Sequence, residues 1–400
     1  MTELGGGCIV DLDAARCLVC RLEQRFSDMT KTTSSRGAPG HSVFSFFSGA
    51  GFLDLGFEVA GFEIAFANEI HPEFVEAYRH ARSAMGLPLP RHGIACDSID
   101  DHLLPPAAAV LATRVAGARE LGQSVGFIGG PPCPDFSVGG KNRGHAGDNG
   151  RLSRSYIDLI VAQKPDWFVF ENVKGLWRTK RHREFFDQLV LDLHEAGYET
   201  KAKLVNAIAF GAPQDRDRII LVGVRNEFAQ ERKLVLEHFD WNVGVKFPER
   251  SAFQFEWPST SEFGATPEPT SAPKELTVEH WFTRNNVTRH PNAIHCFTPR
   301  AALPRFQTIP EGDDSKKCFK RLHRFRYSPT ACYGNNEVHL HPYEARRLSV
   351  AEALAIQSLP REFELPPTIS LSAMFKTIGN GVPFLMAKGI AEAVMSFIRK

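Results

Sequence analysis

Short apolar runs alternate with longer stretches of helical periodicity through the first half of the chain. The runs predict strands at residues 43–47, 62–67, 125–128, 167–170 and 219–224. Apolar positions that recur every three or four residues predict a helix ending at residue 60 and helices at 72–84, 107–121, 155–163 and 182–196. Because strand and helix alternate, we predict an α/β fold with a mostly parallel sheet that binds ligands at the carboxyl ends of its strands.

The pattern changes after about residue 227, where Pro, Ser, Thr and scattered aromatic residues dominate as far as residue 336. This composition predicts a separate, irregular module inserted after the sheet, and helical periodicity returns at 349–357 and 383–397. Residues 1–40 are predicted to be a poorly ordered extension. Cys8, Cys17 and Cys20 lie in that extension, but a structural zinc needs four ligands and no second pair follows.

Composition places the chain among globular proteins, with 43% hydrophobic and 23% charged residues. Its net charge of +1 does not by itself indicate a nucleic-acid partner, so any basic surface must be local. The eight scattered cysteines are typical of a reducing compartment rather than of a disulfide scaffold. Neither a secretory signal nor a membrane span is evident, and we expect a cytoplasmic protein.

Three successive apolar segments, the first two of them predicted strands, end in groups that suit an adenosyl ligand. The turn from Phe47 to Gly51 (FSGAG) brings backbone close to a ligand, while Glu69 and Asp97 follow the next apolar segments. The turn is not GxGxxG, which disfavours a dinucleotide. Taken singly, a tight turn without a ligand explains the glycines equally well, and each acid would more often be a helix cap or a solvated loop charge.

Cys133 lies in the loop GGPPCPDFS at residues 129–137, directly after a predicted strand. A buried structural cysteine is the common alternative, but a loop framed by prolines at a strand end favours a reactive thiol. The Gly- and Arg-containing stretch 138–151 is predicted to be a mobile basic loop that closes over an anionic partner.

Two further segments carry charged groups of suitable chemistry. Glu171 follows an apolar run, where desolvation favours the protonated carboxyl and allows it to donate a proton. Alternation along residues 214–218 (QDRDR) sends Gln214, Arg216 and Arg218 to one face, as donors for phosphate or a base carbonyl. A helix-capping glutamate and a charged surface strand are the respective alternatives.

Together these segments resemble the DNA cytosine carbon-5 methyltransferases over nearly the whole chain from residue 43. The resemblance also includes RRLSVAEALAIQSLP at 346–360 and GNGVP at 379–383. It implies a Rossmann-like S-adenosylmethionine-dependent sheet at 41–230 plus 372–400, with a smaller irregular target-recognition domain at 231–371. Departures from the family pattern include Asp135 where Gln is common and Ala351 where Arg is common, together with Gly381 and Phe384.

The resemblance implies roles residue by residue. Cys133 would be the nucleophile, Glu171 the acid at ring nitrogen 3, and Arg216 and Arg218 would hold the flipped base and the active-site loop. The residues implied to bind S-adenosylmethionine are Phe47, Gly49, Gly51, Glu69, Asp97, Pro132 and Asn380. The predicted DNA contacts are Ser137, Lys316, Lys317, Arg321 and Arg324, in segments that otherwise suit a solvated basic surface.

The resemblance further implies a bacterial enzyme that methylates a specific double-stranded DNA sequence, as a monomer, beside a restriction endonuclease for the same site. Three alternatives stay open from the sequence. They are a tRNA cytosine methyltransferase on the same scaffold, a catalytically silent DNA-binding protein, and a nicotinamide dehydrogenase. The sizeable irregular module favours duplex DNA, because base edges there must be read in a groove. Intact Cys133, Glu171 and Arg218 argue against the silent protein.

Overall fold

A sheet of seven strands organises the first half of the protein. The computed structural model describes residues 40–132, 148–248, 251–331, 333 and 337–399, and the predicted extension at 1–40 lies almost entirely outside them. The strands within the described residues are β1 (His41–Phe46), β2 (Glu63–Asn68), β3 (Ile94–Ala95), β4 (Ser124–Gly129), β5 (Trp167–Val173), β6 (Tyr198–Asn206) and β7 (Asp217–Arg225).

The strand order is β3-β2-β1-β4-β5-β7-β6, and the first five strands are parallel. Strand β7 runs antiparallel to both β5 and β6. The predicted α/β fold with a mostly parallel sheet is therefore confirmed. Two strands were not predicted: β3 has only two residues, and β6 carries Lys and Thr at half-buried positions and an exposed Glu instead of an apolar run.

Helices cover both faces of the sheet. Those of the described residues are α1 (Phe52–Val59), α2 (Pro72–Ala84), α3 (Ala107–Glu120), α4 (Asp148–Gln163), α5 (Gly175–Arg178), α6 (Lys180–Glu195), α7 (Asn226–Arg232), α8 (Val278–Arg284), α9 (Leu303–Phe306), α10 (Val350–Ile356), α11 (Leu371–Asn380) and α12 (Phe384–Ile398). Alternation along β1 sends Phe44 and Phe46 to the core shared with α3, α4 and α6. Ser45 faces the opposite side, where its hydroxyl donates to Asp54 of α1.

Between α7 and α10 the chain is irregular, as its composition predicts. Short 3-10 turns and the two brief helices α8 and α9 are joined by loops over most of this region. A small apolar cluster around Leu276 packs with Trp257 and Tyr327. The backbone of residues 39–400 forms one compact unit, so the boundary between a catalytic and a recognition domain stays a prediction.

One helical stretch of the described residues, Leu371–Ile398, has the length and apolarity of a membrane span. However, 78% of its most apolar window is buried inside the protein, as in a core helix. It is therefore weak evidence for a membrane.

Candidate active site

The strand register brings the predicted site segments to one edge of the sheet. Phe46 of β1 lies beside Asn68 of β2 and Gly129 of β4, and these in turn lie beside Ala95 of β3 and Phe170 of β5. Each of these five residues lies at, or within two positions of, the start of a predicted site segment. Segments up to about 125 positions apart in sequence therefore meet at the carboxyl edge, where open α/β sheets bind their ligands.

A glutamate shapes the turn after β1. One oxygen of Glu69 accepts a hydrogen bond from the backbone N–H of Gly49 at 2.9 Å, and the other accepts from that of His71 at 2.9 Å. Phe47, Gly49 and Gly51 have φ values of 56°, 55° and 87°, so this short turn is left-handed at three positions. Glu69 therefore fixes the backbone of the turn, and its remaining lone pairs are the ones available to a ribose.

A buried carboxyl supports the same turn from below. Asp54 is fully buried and accepts hydrogen bonds from Ser45 at 2.6 Å and from the Tyr78 hydroxyl at 2.8 Å. Burial raises the pKa of Asp54 to about 6. The ring of Tyr78 packs against Gly51, where a Cβ would lie 2.7 Å from a ring carbon. Only glycine fits at that position, which also has a φ of 87°.

Asp97 is held at the end of β3 by two donors. The Asn68 amide donates to its Oδ1 at 2.7 Å, and Nε2 of His102 lies 3.0 Å from the same atom. The Asp97 side chain is 39% exposed. Its second oxygen accepts no hydrogen bond from the described residues, which leaves an acceptor at the strand edge.

Two hydroxyls beside the turn are buried without a hydrogen-bond partner among the described residues, those of Ser48 and Thr377. The Thr377 hydroxyl is 3.7 Å from the position of a Cβ on Gly49, so α11 reaches the turn. Gly381 packs directly on Phe52, which leaves Asn380 exposed at the end of α11 nearby. Unpartnered buried hydroxyls, a glycine-lined turn and the free oxygen of Asp97 suit a polar ligand with several donors.

Glu171 and Arg218 form an ion pair at the neighbouring strand ends. Nε of Arg218 lies 2.6 Å from Oε1 of Glu171, and the two side chains are only 11% and 9% exposed. The register pairs Val173 with Arg218, and Glu171 lies two residues before Val173, on the same face of β5. The side chains of Glu171 and Arg218 therefore lie on the same face of the β5–β7 pair. The prediction considered desolvation of Glu171 alone, whereas the structure adds a compensating guanidinium.

The segment that leads into the predicted nucleophile packs on this ion pair. A Cβ on Gly130 would lie 2.6 Å from Oε2 of Glu171, and Asn172 donates to the Pro131 carbonyl at 3.4 Å. Pro132 is exposed, and Cys133 follows it directly in the chain. Cys133 and Ser137 themselves lie outside the described residues, and so does most of the predicted basic loop 138–151.

Arg216 is buried immediately before β7, beside the irregular region and α11. Its guanidinium is completely buried and donates to the carbonyl oxygens of Ala331 at 3.1 Å and Gly379 at 2.7 Å. Arg216 thus ties β7 to the irregular region and to α11. Its predicted role in holding the flipped base and the active-site loop stays a prediction.

The predicted DNA contacts separate into two classes. Lys316 and Lys317 are exposed, and Lys317 lies 3.7 Å from Glu337. Arg324 forms a double hydrogen bond with the buried Glu311. Arg321 is fully buried, donates to main-chain carbonyls including those of Ile309 and Glu344 at 2.9 Å, and stacks on Phe263. A DNA contact by Arg321 is therefore inconsistent with the structure.

Sequence reasoning missed a glutamine that joins the late segments to the site. Gln357 lies 3.2 Å from the amide of Gln214 and donates to the carbonyls of Ile378 and Gly381. Gln357 is the last residue of the segment RRLSVAEALAIQ, which the family resemblance had already singled out. Its hydrogen-bond partners could not be predicted, because they are distant in sequence. His102 and Thr377 carried no sequence signal at all.

Comparison with known proteins agrees with this geometry. Residues 41–396 match the family model described as C-5 cytosine-specific DNA methylase. The chain is 58% identical over 357 residues to the Type II methyltransferase M.NmeDI of Neisseria meningitidis serogroup C, covering 89% of this chain and 84% of the relative. It is 30% identical over 369 residues to M.FnuDI of Fusobacterium nucleatum, covering 88% and 94%.

Solved structures support the fold. A putative DNA modification methyltransferase encoded within an E. coli prophage superposes with a TM-score of 0.62 at 20% identity, over 90% of this chain and 100% of that one. A variant of Spodoptera frugiperda DNMT2 superposes with a TM-score of 0.53 at 16% identity, with the same coverage. At these identities the likeness concerns the fold alone.

Proposed function

Since the chain belongs to the C-5 cytosine-specific DNA methylases, we propose that it transfers a methyl group from S-adenosylmethionine through a covalent bond between Cys133 and carbon 6 of a flipped cytosine. The chain is a DNA cytosine-5-methyltransferase of the type II restriction-modification kind. The observation that carries the finer proposal is the Glu171–Arg218 pair, packed against the backbone that leads directly into Cys133.

The turn at residues 47–51 and the acids beside it would hold the cofactor. Asp97 offers its free oxygen to a donor such as the adenine amino group, and Glu69 offers its remaining lone pairs to the ribose. The Ser48 and Thr377 hydroxyls would gain partners that the protein alone does not give them. When bound, S-adenosylmethionine supplies an electrophilic methyl group on a sulfonium.

Cytosine carbon 5 is too weak a nucleophile to take that methyl group unaided. Attack of the Cys133 thiolate on carbon 6 forms a carbon–sulfur bond and moves the ring electrons toward carbon 5. Glu171 donates a proton to ring nitrogen 3, and Arg218 stabilises the negative charge that develops on the ring. After methylation, a base removes the carbon-5 proton, the electron pair re-forms the ring double bond, the Cys133 thiolate leaves, and the proton on ring nitrogen 3 returns to Glu171.

The substrate we propose is a specific double-stranded DNA sequence. A cytosine stacked in a duplex cannot reach a strand-edge pocket, so the base must be flipped out, as methyltransferases do. Exposed Lys316 and Lys317 in the irregular region would contact phosphates there. We further propose that the protein acts as a monomer in the bacterial cytoplasm and protects host DNA from an endonuclease that cuts the same sequence.

Methyl incorporation tests the proposal directly. Purified protein is incubated with radiolabelled S-adenosylmethionine and either unmethylated bacterial duplex DNA or total tRNA, and the methylated cytosines are located by sequencing. We expect labelling of duplex DNA at one short sequence and its loss in Cys133→Ser. Labelling of tRNA but not DNA would overturn the duplex substrate, and full activity of Cys133→Ser would overturn the covalent step.

A further inference from the structure

A buried histidine fixes the orientation of the Asp97 carboxyl. His102 is 5% exposed, and its Nε2 lies 3.0 Å from Oδ1 of Asp97. A capping box at Ser98 starts the 3-10 helix Ile99–Leu103, and this helix carries His102 back toward Asp97. The short helix therefore places a donor on the carboxyl that lies just before it in the chain.

The imidazole has little freedom to move. Its ring meets Phe46 and Phe66 edge-on, with centroids 6.3 Å and 5.5 Å away. Nδ1 is buried without a partner among the described residues. The tautomer protonated on Nε2 donates to Asp97 and avoids a buried N–H with no acceptor.

The two donors act on the same carboxyl oxygen. Asn68 donates to Oδ1 at 2.7 Å and also to the Asp97 carbonyl at 3.0 Å, while His102 approaches Oδ1 from the adjacent helix. With Oδ1 occupied, Oδ2 is the oxygen left for a ligand. Rotation of the carboxyl would break both hydrogen bonds, so Asn68 and His102 together hold Oδ2 of Asp97 at a fixed point of the strand edge.

We propose that His102 is a positioning residue that makes the cofactor site selective for a nucleobase with an exocyclic amino group. The proposal rests on the proposed function, in which Asp97 faces the adenine. A base with a carbonyl oxygen at that position, as in hypoxanthine, would place an acceptor against an acceptor. Selectivity between the two bases should therefore depend on how firmly Oδ2 is held.

The experiment measures binding by calorimetry on the full chain without DNA, using S-adenosylhomocysteine and S-inosylhomocysteine as probes. We expect the wild type to prefer the adenine compound. His102→Leu should weaken its binding roughly tenfold, the effect of losing one charge-assisted hydrogen bond, with little change for the inosine compound. His102→Gln, which can still donate, should recover part of the preference.

His41 provides a matched control. It is also a buried histidine of the sheet, with a 2.7 Å hydrogen bond to Ser124, but it lies at the opposite end of β1. His41→Leu should lower thermal stability without altering the ratio of the two affinities. If His102→Leu keeps the wild-type ratio, or weakens both compounds equally, this inference is overturned. If the wild type binds neither compound, the proposed function fails and the inference with it.

Discussion

Three arginines of this protein differ in the groups that their guanidinium donors contact. Arg218 neutralises Glu171 at the strand ends, whereas Arg216 and Arg321 are fully buried and donate to main-chain carbonyls. Desolvation lowers the pKa of Arg321 to about 10, and the negative charge of Glu311 offsets this only in part. The first arginine suits chemistry on a substrate, and the other two stabilise the fold.

Glu171→Gln tests the proposed acid at the residue scale. The amide keeps the shape and a hydrogen-bonding oxygen but cannot donate a proton to ring nitrogen 3. We expect the rate of methyl transfer under single-turnover conditions to fall about 100- to 10,000-fold, with DNA affinity changed far less. The control is Glu227→Gln, at an exposed ion pair with Arg225. Equal rates for Glu171→Gln and the wild type would exclude proton donation by Glu171.

At the scale of elements, the turn between β1 and α1 depends on contacts beneath it. Tyr78 of α2 occupies the space where a side chain on Gly51 would lie, and Asp54 of α1 holds the Tyr78 hydroxyl. The turn is therefore built by two helices as well as by its own glycines. Changes beneath it should affect cofactor binding without touching the cofactor.

Gly51→Ala should disrupt this arrangement more than a matched glycine change. Both Gly51 and Gly86 have positive φ, but a Cβ on Gly86 meets nothing within 4 Å. Gly86→Ala should cost about 1 kcal/mol from backbone strain alone. Gly51→Ala adds the collision with Tyr78, so its unfolding free energy should fall by a further 1–3 kcal/mol, roughly the cost of overpacking. Chemical denaturation of the two variants measures the difference, and equal losses would contradict the collision.

Asp54 predicts a pH dependence of stability. Its folded pKa of about 6 lies above the value for an unfolded aspartate, so the folded state binds the proton more tightly. Its contribution to stability is complete below about pH 4 and is lost as the pH rises through 6. Asp54→Asn carries no such proton, so the stability of the variant relative to the wild type should increase from pH 4 to pH 7. A pH-independent difference in unfolding free energy would refute the assignment.

At the scale of the whole molecule, buried amides connect segments far apart in sequence. Gln214 bonds to Gln357 at 3.2 Å and accepts from the Ala331 N–H at 3.1 Å, while Arg216 reaches Gly379. Strand β7, which carries Arg218, is thereby joined to the irregular region and to the segments at 346–360 and 379–383. The Glu171–Arg218 ion pair and the predicted DNA-reading region are therefore held by one network of buried hydrogen bonds.

Removing the surface lysines of the irregular region should affect DNA binding, whereas removing its buried arginine should affect stability. Lys316→Ala combined with Lys317→Ala should weaken DNA binding and reduce the salt slope of log K by about two, one per lost phosphate contact. Arg321→Met should leave the carbonyls of Ile309 and Glu344 unpaired and lower stability by several kcal/mol. Binding titrations at several salt concentrations and thermal unfolding separate the two. Lys180→Ala, at an exposed lysine at the start of α6, is the control.

The local pattern of the sequence was sufficient for most of the fold and for the chemistry-bearing segments. The five predicted strands, and α2 with its bounds at Pro72 and Ala84, depend on nearest neighbours in the chain, so periodicity revealed them. Strands β3 and β6 were not predicted, because β3 is only two residues long and β6 is half polar. The placement of Glu69, Asp97 and Glu171 directly after apolar segments followed from chain order alone.

Only the tertiary structure decided which polar groups are buried and what they contact. Arg216 and Arg218 are two residues apart with the same side chain, yet one pairs with Glu171 and the other with Gly379. Arg321 looks like its basic neighbours in sequence but lies in the interior. The sequence by itself therefore determined the family and indicated the candidate reacting groups, because those depend on residue type and order. Burial and hydrogen-bond partners depend on segments that meet only after folding, and they separated the arginine paired with Glu171 at the strand edge from those bonded to buried main chain.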